Sequence, residues 1–398
     1  MSKIIVQGNS VLISCDTHFL HHPIGSETCK IVNLSDKRED LKFDEGTGLP
    51  QKTISATNQE KDVKINFVCS ALSPDNSLLA IQSPGKELLV YNVQTWEVIF
   101  KRQLGRGASK ILFSPDSRNI VVGDKTGDVF LYNIFSDEKE TALLGHLSMV
   151  LDIIMTNDGK HLITCDRDEK IRVSNYPNCY NIENYCLGHE QFVTNVQFLP
   201  HNNNILISCS GDGTVRLWDY LKGSLRDIHN FNNSRDKSIT PIAETKNQLK
   251  CFTSVQLDDK TSLLCVSVFK SNTIHILFIK DESLAVVNKL DLSFEPVHLQ
   301  LSRCEDSEDV NLWLIGNNEM HLYVWNTVEK DFSVATNTLL LKTVDIINSN
   351  LKELIVESSE ENVIYVLQKR KMDEITDYYV RKQARIDEKN KRSNKQSE

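Results

Sequence analysis

The strongest constraint on this chain lies in residues 144–220, where one unit is written twice. LGH at 144–146 is followed by LITCDRDEKIRVSN from Leu162, and LGH at 187–189 is followed by LISCSGDGTVRLWD from Leu206, a repeat distance of 43 residues. Each copy consists of short apolar runs broken by turn residues, the pattern of a small antiparallel sheet. One such sheet cannot bury both of its faces. A sheet unit recurring every 40–45 residues or so buries them by stacking on its neighbours around an axis, as the blades of a propeller do. The repeat therefore predicts an all-β fold and a β-propeller.

The second copy shows what a blade of the WD-repeat type contains. His189 opens the unit, Ser208 sits in an apolar run, Asp212 precedes a glycine at a tight turn, and Trp218 ends the next run. In WD repeats such residues form a buried hydrogen-bonded chain, which satisfies polar groups that would be costly inside the blade. The first copy supplies His146, Thr164 and Asp168, with Ser174 in the place of the tryptophan. All seven network residues are read as structural, because the repeat explains the nearby His, Ser and Asp without a nucleophilic triad.

Further units follow the same pattern. Tyr91, Tyr132, Ser174 and Trp218 succeed one another at intervals of 41, 42 and 44 residues. Beyond Tyr220 a polar stretch precedes a fifth unit ending near Phe278, and a sixth ends at Trp325 and Asn326. The runs at 338–347, 354–356 and 362–367 supply most of a seventh. The two runs within residues 3–15 are expected to complete that last blade, with residues 21–62 as a polar loop. The expectation is a seven-bladed WD-repeat propeller over 1–368. From Lys369 the period of two is lost, and Ile375, Tyr378, Tyr379, Lys382 and Ile386 recur at helical spacing in a basic tail, 369–398.

Composition excludes several functions. With 40% hydrophobic and 25% charged residues the chain can build a large core, and a net charge of −9 argues against a surface devoted wholly to nucleic acid. The ten cysteines are scattered, with no CxxC pair and no zinc spacing. They point to a reducing compartment, cytosol or nucleus. The first residues lack a signal-peptide pattern, and no apolar run is long enough to span a membrane. Gly105, Arg106 and Gly107 form a lone GxG without the strand and helix of a nucleotide fingerprint. With no P-loop, nucleophile elbow or metal cluster, the sequence predicts no cofactor, no metal and no catalytic residue. A binding scaffold is the expectation.

Two stretches exceed what a blade needs. In DRDEKIR, 166–172, Asp168 belongs to the network, but Arg167, Glu169, Lys170 and Arg172 crowd one turn and strand. In GDKTGDV, 123–129, Thr126 stands where the blade Asp is expected, which leaves Asp124, Lys125 and Asp128 without a structural duty. These stretches, with LGHLSMVLDI, SCSGDGTVRLWDY and LGHEQFV, resemble the WD-repeat non-catalytic subunits of the tRNA 7-methylguanosine methyltransferase, the Wuho family. The specific match covers 123–220, and outside it the likeness is architectural. The resemblance implies a propeller that binds and stabilises a separate S-adenosylmethionine-dependent catalytic subunit as a heterodimer and helps to place tRNA, in the nucleus and also the cytoplasm. It makes Arg172 the leading partner contact, then Lys170 and Arg167, with Glu169 beside them. It also sets Lys125 near RNA, joined by Lys382 and Arg385 of the tail. Strand alternation is expected to turn Arg172 to the face opposite Ile171 and Val173. A general WD-repeat adaptor, such as a ubiquitin-ligase substrate receptor or a chromatin scaffold, is the alternative. A propeller hydrolase is the weakest reading.

Overall fold

The computed structural model describes residues 3–15, 18–34, 69–232, 247–303, 309–354 and 367–368. These residues build seven four-stranded antiparallel sheets. In chain order they span residues 3–33, 70–103, 108–145, 150–186, 193–230, 249–291 and 298–334, here blades I to VII. Every sheet is one uninterrupted piece of chain in which consecutive strands pair.

The second strand of each blade explains the stacking. Asn119–Asp124, His161–Asp166, Asn202–Ser210, Thr261–Val268 and Val310–Gly316 each carry a central apolar run, and beyond their first residues they are buried on both faces. Successive side chains then enter opposite seams. Leu162 packs between blades III and IV, whereas Ile163 and Cys165 pack between IV and V. Leu206 points to the IV–V seam and Ile205 and Ile207 to the V–VI seam. Seven apolar clusters result, one at each junction around the ring. The fourth strands, such as Thr141–Gly145 and Ser224–Asn230, form the outer rim and are largely exposed.

Closure of the ring corrects three expectations. The strands at residues 3–15 do not complete the last blade. They pair with His18–Pro23 and Lys30–Asn33 to make blade I outright, so blades I and VII meet by packing rather than by sharing a sheet. Residues 21–34 of the supposed polar loop are consequently part of blade I, and 35–62 lie outside the described residues. The run at 338–347 is not a strand but part of a helix, Thr338–Leu354. Leu340, Val344, Ile347 and Leu351, on one face at helical spacing, cover the seam formed by Ile4, Val11, Ile13, Trp313 and Ile315. Asn337 caps the helix by accepting the backbone N–H groups of Leu339 and Leu340. Leu367 is buried against Phe192 and Phe269. The other two C-terminal runs, apart from Leu367, and the tail 369–398 lie outside the described residues.

Candidate protein and RNA interface

Register places the candidate residues at one end of the ring. The first residue of each inner strand pairs with the last or next-to-last residue of the second strand, as Ala108 with Asp124, Val150 with Asp166 and Val193 with Ser210. The turn between second and third strands therefore lies at the end where the inner strand begins. Residues 123–129, 166–172 and 210–214 share that end, and so do His146 and His189.

Blade V carries the full polar chain. The Trp218 indole N–H donates to Ser208 Oγ at 2.8 Å, and the Ser208 hydroxyl donates to His189 Nε2 at 2.8 Å. His189 Nδ1–H then donates to Asp212 at 2.9 Å. Thr214 donates both its hydroxyl and its N–H to the other Asp212 oxygen, at 2.6 and 2.8 Å. Burial holds the His189 pKa below its ordinary value. Burial works in the opposite sense on Asp212, yet hydrogen bonds from His189 and Thr214 outweigh it and keep that carboxyl well below the usual range. A neutral imidazole between a hydroxyl and a carboxylate, with an indole closing the chain, is a structural clasp.

Blade IV repeats the clasp with one correction. His146 Nε2 accepts from Thr164 at 2.7 Å, but His146 Nδ1 donates at 2.9 Å to Asp166, not to Asp168. Asp166 is 1% exposed and also accepts the N–H groups of Asp168 and Lys170. Blade III uses the same position. Asp124 accepts from the N–H groups of Thr126, Gly127 and Asp128 and from the Thr126 hydroxyl, so it does have a structural duty. In these two blades the acid sits at the end of the second strand, two residues before the place it takes in blade V. Aligning DKTGD with DRDEK on their first aspartates shows this in the sequence.

Arg172 is the second correction. It does turn to the face opposite Ile171 and Val173, which pack toward blade V, but that face is the seam with blade III, and the side chain is only 8% exposed. Its Nε donates to Ser174 Oγ at 2.9 Å, and its terminal nitrogens donate to the carbonyls of Cys179, at 2.6 Å, and Gly145, at 3.4 Å. The cause is Ser174. In blade V the equivalent Arg216 lies over Trp218, its guanidinium 5.9 Å from the ring. With serine in place of the indole there is room for the guanidinium to fold inward, so Arg172 completes its own blade.

What blade IV presents outward is the turn itself. Arg167, Asp168, Glu169 and Lys170 are each partly exposed. Arg167 donates to Ser148 Oγ at 3.2 Å and Lys170 to the Asp168 carbonyl at 3.2 Å. Glu169 holds a left-handed backbone, φ +75°, at the corner where blades III and V have Gly127 and Gly213 and blade II has Lys86. A side chain there costs about 1 kcal/mol that glycine avoids. Beside the turn, Leu147 is 98% exposed, an apolar group against a charged corner. Lys125 is half-buried, its stem alongside Gly107, and burial lowers its pKa. Lys382 and Arg385 lie outside the described residues. Among the described residues no group of three or more His, Cys, Asp or Glu side chains could hold a metal ion.

Comparison with known proteins gives a consistent set of likenesses. Residues 133–321 match the family described as the tRNA methyltransferase TRM82 WD40 domain. The chain is 30% identical to the tRNA (guanine-N(7)-)-methyltransferase non-catalytic subunit wdr4 of Xenopus laevis, over 96% of this chain and 94% of that protein. It is 48% identical to the subunit wuho of Drosophila mojavensis over 166 residues, 41% of this chain and 43% of that protein, so this match spans less than half of that relative's length. The wuho protein of Culex quinquefasciatus is 29% identical over 90% of this chain and 85% of its own. Among solved structures, the C-terminal WD40 domain of Sif2 aligns with a TM-score of 0.54 at 14% identity, covering 79% of this chain and 78% of that one. A chain of the mitotic checkpoint complex aligns with a TM-score of 0.60 at 13% identity, covering 82% and 89%. At such identities these two structures speak for the propeller alone.

Proposed function

The chain belongs to the family of tRNA (guanine-N(7)-)-methyltransferase non-catalytic subunits, and from that premise we propose that it is the scaffold of a heterodimer, stabilising a separate S-adenosylmethionine-dependent catalytic chain and helping to position tRNA. It is not itself the enzyme. The observation that carries the contact is the blade IV corner: Arg167, Glu169 and Lys170 stand on a hairpin whose backbone is pinned by the buried Asp166, next to the bare Leu147. Charges held rigidly at a rim give register and specificity to a partner of complementary charge, and an adjoining apolar group supplies area to desolvate. The left-handed Glu169 supports the same reading, since a strained backbone maintained at a corner is more easily understood if its side chain is used.

Lys125, at the same end of the ring one blade away, is the RNA-proximal group of the described residues; Lys382 and Arg385 of the basic tail, outside the described residues, are the further RNA candidates. The complex acts in the nucleus and also the cytoplasm on this reading, in keeping with described cysteines that are all free thiols. The test is reconstitution. The purified chain alone should transfer no methyl group to tRNA, and activity should require the catalytic subunit. A double variant, Arg167→Glu with Lys170→Glu, should melt like the parent and bind that subunit more weakly. Lys125→Glu should leave the heterodimer intact while reducing tRNA affinity in a salt-dependent way. Methylation by the chain alone, or an unchanged subunit affinity for the double variant in a direct titration, would sink the respective claim.

A further inference from the structure

The end of the ring opposite the blade IV corner holds a cleft that neither the clasps nor the corner use. It lies at the seam of blades IV and V and encloses about 210 Å³, between residues 156–158 of blade IV and Phe198, Asn203, Asn204 and Tyr220 of blade V. Residues 156–160 lead from the first strand of blade IV to its second, and Asn203 and Asn204 stand near the start of the second strand of blade V. Both therefore belong to the end where second strands begin. The floor is aromatic: Phe198 and Tyr220 meet edge to face with ring centroids 5.6 Å apart, and His161 backs Tyr220 at 6.5 Å. Tyr220 is 5% exposed, yet its hydroxyl makes no hydrogen bond among the described residues and is not sealed from the cleft. A buried phenol ordinarily has a partner.

Asp158 supplies the charge at the rim. Its Oδ1 accepts the Thr156 hydroxyl at 2.7 Å and the Lys160 N–H at 3.1 Å, and these bonds hold the carboxyl down to about 2, so it is ionised at neutral pH. Its Oδ2 meets the Lys160 ammonium at 3.3 Å, a pair exposed on both sides and therefore weak. The side-chain amides of Asn157, Asn203 and Asn204 bond no other group among the described residues. Among those residues no lysine, arginine or histidine lines the cleft. Beside it, Leu221 is exposed, and Asn184 Nδ2 donates to its carbonyl at 3.0 Å, which brings the outer strand of blade IV and its exposed Ile182 alongside.

We propose that this cleft docks an arginine side chain presented by a peptide segment of a partner protein, with the guanidinium over the aromatic floor and donating to Asp158, the Tyr220 hydroxyl and the amide oxygens of the rim. A planar cation with five donors suits a site that offers an aromatic surface, a carboxylate and several neutral acceptors, whereas a lysine ammonium is a point charge that cannot stack. A carboxylate without a lining cation repels phosphate, which disfavours a nucleic-acid backbone. The exposed Leu221 and Ile182 give residues on either side of the arginine apolar surface to cover, which favours a peptide over the free amino acid. The corner at 167–170 faces the other end of the ring, so filling the cleft does not compete with the contact proposed there.

The test titrates the full chain with the blocked peptide acetyl-Leu-Arg-Leu-amide, its lysine and citrulline counterparts and free arginine, read by saturation-transfer NMR. The arginine peptide should bind saturably and about fivefold or more tighter than the other three, the effect of one hydrogen bond or more. Tyr220→Phe removes a hydroxyl that has no partner to lose, so it should melt like the parent and bind the arginine peptide about fivefold more weakly. Asp158→Asn keeps an oxygen for Thr156 and the Lys160 N–H but loses the charge, so it should bind about tenfold more weakly and no longer prefer arginine to citrulline. No saturable binding of the arginine peptide, equal binding of the citrulline peptide or of free arginine, or unchanged affinity in Tyr220→Phe would overturn the site. Binding of oligouridylate that Tyr220→Phe weakens, with no response to the arginine peptide, would assign the cleft to RNA and overturn it as well.

Discussion

Replacing Arg172 with Met tests the reassignment of this residue from the interface to the interior. Methionine keeps the unbranched stem but removes the guanidinium, so Ser174 Oγ and the Cys179 carbonyl lose donors at 2.9 and 2.6 Å, and the Gly145 carbonyl loses a longer one at 3.4 Å. Each of the two short bonds leaves a buried acceptor unsatisfied, worth about 1–3 kcal/mol, and relief from burying a charge offsets part of that. A net loss of about 3 kcal/mol is expected. For a chain of this length each kcal/mol moves the melting temperature by roughly 2 °C, so the isolated propeller should melt about 6 °C below the parent. Arg172→Glu should fall further, because a carboxylate would face the same carbonyl oxygens. The assay is calorimetry of the propeller alone, followed by titration with the catalytic subunit well below the melting range. A variant that melts within about 1 °C of the parent yet loses the subunit would refute the argument and return Arg172 to the interface.

Three further outcomes follow from the clasp and the corner. Asp166→Ala should lower the stability of the isolated propeller by about 2 kcal/mol by orphaning His146 and two backbone N–H groups, whereas Asp168→Ala should change it by less than about 0.5 kcal/mol; equal losses in chemical denaturation would restore the sequence-based assignment. Burial lowers the His189 pKa, and His189 and Thr214 keep Asp212 low against the effect of burial, so the unfolded chain takes up more protons than the folded one on acidification. The stabilisation from this pair is therefore full above about pH 6.5 and is lost as the pH falls, and His189→Gln, which removes the group that titrates in this range, should show a shallower fall in melting temperature from pH 7 to 4; parallel profiles would mean the pair does not couple to folding. Glu169→Gly should relieve about 1 kcal/mol of backbone strain and raise the melting temperature of the propeller while weakening subunit binding; a variant that is less stable, or that binds equally well, would show that the corner is not held for its side chain.

The architecture was legible because a repeat writes its own period. A unit recurring near 43 residues, with strands that alternate every two, can bury both faces only by stacking, and local composition is enough to say so. His189, Ser208, Asp212 and Trp218 could likewise be named, since the tight turn with its glycine fixes where the aspartate must stand. The sequence by itself could not decide questions settled by what lies across space. Whether residues 3–15 finish another blade or found their own depends on which strands are free to pair, and the answer rests on His18–Pro23 and Lys30–Asn33 coming next. Whether 338–347 is strand or helix depends on a seam between blades I and VII that only an amphipathic helix fits, with Leu340, Val344, Ile347 and Leu351 on one face. Asp166 and Arg172 were misread for a related reason. A hydrogen bond is decided by where the vacant space and the unsatisfied partner are: the small Ser174 gives the Arg172 guanidinium both room and an acceptor, and His146 meets the acid that stands at the end of its blade's second strand.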